Sequence, residues 1–104
     1  MKSIDDIRSD LVKRDFVHSI HSASRVIERN ISSKEIAKVG ENAIIIEDYP
    51  DDRISPSSLV LGFTDEGNPL HIILTRDQEY KMKIISIYEP NPQKWKNGFK
   101  ERVL

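Results

Sequence analysis

Cysteine is missing altogether from the 104 residues, which excludes disulfide scaffolds, thiol nucleophiles and cysteine-based zinc sites. Glycine is scarce, at four, and none of the four sits in a phosphate-cradling loop, a dinucleotide fingerprint or a Gly-x-Ser-x-Gly elbow. No apolar run approaches the roughly 20 residues of a membrane-spanning helix. The start, Met1-Lys2-Ser3-Ile4-Asp5-Asp6, lacks the apolar stretch of a secretion signal. Neither sign of charge predominates: sixteen basic and seventeen acidic residues leave −1. An electrostatic nucleic-acid binder is usually markedly basic, so a phosphate site here would have to be a local cleft on a near-neutral body. Nothing repeats and no segment is low in complexity. These absences predict a cytoplasmic protein with no membrane association, folded as a single domain over residues 1–104 around one core.

What is present has two periods. Hydrophobic residues make up 38% of the chain and charged residues 32%, but the apolar ones gather in runs such as Ala43–Ile46 and Ile84–Ile87, which a disordered chain lacks. Ser3 ahead of Asp6 is an acidic variant of the capping box and opens a first helix with Ile4, Ile7, Leu11 and Val12 as its stripe. An extended link, Asp15–His18, leads to a second helix capped by Ser19 and running to Asn30. At 100° per residue its apolar face is Ala23, Val26 and Ile27, and its polar face carries His21, Arg25, Glu28 and Arg29. A third helix has Ser32 and Glu35 as capping box, Ile31 and Ile36 as hydrophobic staple, and Gly40 as its stop.

From residue 42 the period shortens. Ala43–Tyr49 reads as a strand, Pro50–Pro56 as a polar loop, and Ser58–Thr64 as a strand with Leu59, Leu61 and Phe63 on one face. Asp65-Glu66-Gly67-Asn68 is a hairpin turn. Pro69–Arg76 and Tyr80–Tyr88 complete an antiparallel sheet of about four strands. Asn91 and Pro92 read as the start of a C-terminal helix, with Trp95, Phe99 and Val103 along one side. Helices followed by strands in blocks predict an α+β domain.

Few residues suit chemistry. His18 and His21 have an i, i+3 spacing, but a metal site needs more ligands and no supporting motif is present, so no metal is expected. His71, between Leu70 and Ile72, is either a half-buried structural histidine or a general acid or base near neutrality. Arg25, Glu28 and Arg29 are either a solvated helix face with pairs worth a few tenths of a kcal/mol or a phosphate fork oriented by Glu28. The aromatic residues suit packing, and Asp51-Asp52 suits loop solvation.

The segments His21-Ser22-Ala23-Ser24-Arg25 and Glu28-Arg29-Asn30-Ile31-Ser32 resemble the opening motif of the domain-of-unknown-function family 4258. The likeness continues through Ile45–Asp52, Leu61-Gly62-Phe63, Pro69-Leu70-His71, Ile87–Pro92 and Trp95. That family looks like a relative of the RelE- and BrnT-type ribonuclease toxins, with N-terminal helices ahead of an antiparallel sheet. The resemblance implies a metal-independent endoribonuclease without cofactor, the toxin of a type II toxin–antitoxin pair. Its partners would be RNA, free or as ribosome-bound mRNA, and a cognate antitoxin. It implies His21 and His71 as acid and base, Arg25 and Arg29 as the phosphate clamp, Glu28 as their orienter, and Tyr88 as an assistant. Those side chains must then converge within reach of one phosphodiester. The rival expectation is a non-enzymatic interaction module that binds a protein through the second helix and the C-terminal helix.

Overall fold

Serine caps start all three helices of the computed structural model, which describes residues 1–104. Ser3 opens α1 (Ile4–Lys13) and Ser32 opens α3 (Ser33–Asn42), each through a reciprocal capping box with Asp6 or Glu35. Ser19 caps α2 (Ile20–Glu28) by accepting from the Ser22 amide. The caps satisfy amides that a helix start otherwise leaves unpaired. Gly40 is not the stop of α3, which continues to Asn42. Its role is close approach: a Cβ there would lie 2.6 Å from Leu11 Cβ of α1.

Five strands form one sheet: β1 (Phe16–His18), β2 (Ile44–Tyr49), β3 (Ser57–Phe63), β4 (Pro69–Thr75) and β5 (Met82–Tyr88), in the order β1-β5-β4-β3-β2. The last four are the antiparallel meander that alternation predicts. The link Phe16–His18 is a fifth strand, paired parallel to β5, so the sheet is mixed. Three residues are too few to show a period, and only the β5 edge makes them a strand.

The C-terminal helix is absent. Trp95–Lys96 (β6) and Glu101–Arg102 (β7) pair as a small antiparallel hairpin. Asn97, Gly98 and Phe99 take φ of 52°, 70° and 69°, left-handed values that no α-helix accommodates in succession. Asn91 still caps a turn, accepting from the Gln93 amide. The Asn97-Gly98 pair is the hairpin signal that the Trp95/Phe99/Val103 spacing obscures.

The main core lies between the sheet and the helices, where Ile7, Leu11, Ile36 and Val39 meet Val60, Leu70, Ile72, Leu74, Met82, Ile84 and Ile87. Val26 of α2 packs against the same cluster. The alternate residues of β3 and β4 point off the other face, where Leu61 stands opposite His71 and Leu59 opposite Ile73. Leu59, Leu61 and His71 are nonetheless fully buried, so this outer face is a second packed layer. Gly62 sets the separation of α3 from the sheet, since a Cβ there would lie 2.5 Å from Val39 Cγ1 and 2.6 Å from the Val39 carbonyl oxygen. Gly62→Ala is therefore expected to lower the unfolding free energy by about 2 kcal/mol. Urea denaturation should show Gly40→Ala to be milder, because alanine regains up to about 1 kcal/mol of helix propensity.

Candidate functional site

The α2 helix is held at its start by β5. The Ser19 amide donates to the Ile84 carbonyl at 2.9 Å and its hydroxyl to the Ile85 carbonyl at 2.8 Å. Of the Ala23–Val26–Ile27 stripe that periodicity predicts, Ala23 and Val26 are half-buried, with Val26 against the core, but Ile27 is not on the buried side. Ser22 is fully buried, whereas Ile27 is 80% exposed. The helix is turned because the Ser22 hydroxyl has a partner inside: His18 Nδ1 lies 2.7 Å from Ser22 Oγ. A satisfied hydroxyl can be enclosed at little cost.

His18 is half-buried, and loss of solvent pushes its pKa below the usual imidazole range. Its Nε2 bonds to no protein atom, and no side-chain nitrogen or oxygen in the fold is both buried and unpaired, so Nε2 reaches solvent. On the adjoining arc of α2, His21 is exposed and Arg25 Nη1 sits 3.4 Å from Glu28 Oε2. Arg29, one turn beyond Arg25, is exposed and ends the helix as its C-cap. Helical spacing stacks His21, Arg25 and Arg29 at 40° steps, so their side chains share one surface.

His71 belongs to a different place. It points off the outer face of the sheet, whereas Val26 packs into the core on the helix side. Its Nε2 lies 2.9 Å from the Phe99 carbonyl oxygen and its Nδ1 3.1 Å from the Tyr88 hydroxyl. A carbonyl only accepts, so Nε2 carries the proton and Nδ1 accepts from Tyr88. Trp95 meets the imidazole edge-on at 4.4 Å between centroids. Arg102 lies 4.8 Å above the Trp95 ring and donates to both oxygens of Glu47, at 2.8 and 3.0 Å. The Tyr49 hydroxyl also donates to Glu47. Burial lowers the pKa of His71 and raises that of Tyr88, favouring the neutral form of each.

The expected convergence is thus not met. His71 and Tyr88 come together under the β6–β7 hairpin, and His21, Arg25, Glu28 and Arg29 stand apart from them on α2. With both nitrogens bonded and no exposed surface, His71 as found has no free edge for substrate. No group of three or more His, Cys, Asp or Glu side chains could hold a metal ion. Sequence reasoning set His18 aside because only the fold shows its fixed nitrogen and its free one.

A family model described as domain of unknown function DUF4258 matches residues 19–89. The chain belongs to this family. The DUF4258 segment runs from the cap of α2 through β5, so it contains the α2 arc, His71 and Tyr88, while His18 and the hairpin lie outside it. No curated protein and no solved structure matches the chain.

Proposed function

We propose that the protein is a metal-independent endoribonuclease of the RelE-like kind, the toxin of a type II toxin–antitoxin pair, working at the start of α2 rather than at His71. The observation that carries this reading is the His18 imidazole, fixed through Nδ1 by Ser22 and open at Nε2, beside an arc with two guanidiniums. With Nδ1–H donating to Ser22, the Nε2 lone pair of His18 takes the proton of a ribose 2′-OH. The 2′-oxygen attacks phosphorus, and Arg25 and Arg29 stabilise the charge of the phosphorane. His21 donates a proton to the departing 5′-oxygen, leaving a 2′,3′-cyclic phosphate and a 5′-hydroxyl. Glu28 holds Arg25 in place, and no metal or cofactor enters the step.

An antitoxin partner has a surface to use. Ile20 is 93% and Ile27 80% exposed on the same helix, next to the cationic arc. A protein lying on them would cover His21 and Arg25 as well. No helix is long and apolar enough to cross a membrane, in keeping with the cytoplasmic setting this reading requires.

Single-stranded RNA incubated with the protein and EDTA should yield fragments ending in cyclic phosphate. Arg25→Ala and Arg29→Ala should each slow cleavage on the order of 100-fold, with unchanged thermal melting. Intact RNA in the presence and absence of ribosomes, with no growth arrest on expression, would sink the reading. The exposed Ile20 and Ile27 would then favour a non-enzymatic module, with the β6–β7 hairpin rather than a helix at its other end.

A further inference from the structure

A second site lies on the outer face of the sheet, at the end away from the hairpin. A cavity of about 490 Å³ opens there over Thr75 of β4 and Lys83 and Ile85 of β5. The 50–56 loop supplies one wall through Asp52 and Ile54, and the β4–β5 turn supplies the other through Asp77, Tyr80 and Lys81. This volume is within the range of small-molecule sites. Four strand positions separate Thr75 from His71, about 13 Å along β4, so the cavity is distinct from the buried cluster.

Two of its wall residues are conspicuous for their exposure. Ile54 is 98% exposed and Tyr80 71%. The Ile54 and Tyr80 side chains offer a flat ring two apolar surfaces at one opening. The Lys83 ammonium makes no ion pair, and Lys81 has only Asp15 at 3.4 Å. Asp77 accepts from the Glu79 amide on one oxygen. Asp52 accepts from the Ser57 hydroxyl on one oxygen and weakly, at 3.4 Å, from the Ile54 amide on the other, so each cavity-lining carboxylate keeps acceptor capacity. Two cations balanced by two carboxylates suit a single phosphate joined to a donor-rich body, not a polyphosphate.

The geometry points to this cavity as a site for one nucleotide, its base against Tyr80 and Ile54 and its phosphate on Lys83. The carboxylates of Asp52 and Asp77 accept from sugar hydroxyls or an exocyclic amine. Stacking on an exposed aromatic ring next to a cation is how unpaired bases are held without demanding a sequence. The inference does not depend on catalysis at α2.

Titration of the full chain with adenosine 5′-monophosphate, followed by amide chemical shifts, tests it. The expected result is saturable shifts at Thr75, Tyr80 and Lys83, with adenosine alone and inorganic phosphate alone each binding at least about tenfold more weakly. Tyr80→Ala and Lys83→Ala, both at exposed positions, should each weaken binding about tenfold or more while the remaining spectrum is preserved. A short oligoribonucleotide that binds tighter through the same residues assigns the site to an RNA strand, and one that binds no tighter assigns it to a free nucleotide. No shifts at millimolar nucleotide, or shifts that survive in the double variant, would overturn the proposal.

Discussion

His71→Ala should unfold the protein far more readily. The imidazole is fully buried, packed on Trp95 and bonded at both nitrogens. Truncation removes its ring contacts and strands the Phe99 carbonyl and the Tyr88 hydroxyl. Large-to-small core changes and unmade buried hydrogen bonds together predict a loss of about 3 kcal/mol. In a domain of this size that is a fall in Tm on the order of 15 °C. His71→Phe puts a flat, somewhat larger ring in the same place and should cost less than the truncation. A His71→Ala protein that melts with the parent would mean that the hairpin does not enclose the ring in solution.

The same residue sets a pH dependence. Desolvation holds the pKa of folded His71 below its ordinary 6.5, with the Phe99 bond and the Glu47 charge opposing that shift and the Arg102 charge adding to it. The unfolded chain therefore binds a proton first as the pH falls. Stability is whole above the unfolded value and declines as the pH drops through about 6.5 and on towards the folded pKa. His18, shifted the same way, adds to the slope. Denaturation midpoints measured from pH 7.5 to 5 should fall for the parent and fall less for His71→Phe.

The second large effect concerns His18. If its Nε2 is the base, His18→Gln should reduce RNA cleavage by about 10²- to 10⁴-fold. Stability should move little, because the glutamine amide can still reach Ser22. The acid limb of the rate profile, set in the parent by His18 losing its proton, should disappear from the residual activity. His21→Gln should slow cleavage as well, by removing the donor to the leaving oxygen. Cleavage at parental rates in both variants would place the chemistry elsewhere on the molecule.

The helix starts were legible because capping is local: Ser3 with Asp6 and Ser32 with Glu35 act within three residues. The meander was legible because alternation and the Gly67 turn are local too. The turn of α2 was not, since Ser22 counts as polar until His18 is seen bonded to it. Nor was β1, whose three residues owe their conformation to β5. His71 showed its apolar flanks but not the hairpin above them. The hairpin itself was hidden by a helical spacing of Trp95, Phe99 and Val103 that the left-handed run at Asn97–Phe99 overrides.

The parallel pairing of Phe16 with Met82 ties the front of the chain to its last long strand. Closing a loop of that length costs entropy that local contacts do not repay, so β1 belongs among the last pieces to dock. His18 is the final residue of β1, and Ser19 leads directly into α2. The candidate site therefore hangs on the shortest strand pairing of the sheet. Opening that pairing would draw Phe16 from the edge of the core and loosen the hold on His18, while the β2–β5 meander stayed paired. In such an arrangement, the base proposed above would be unseated by local detachment before the domain unfolds.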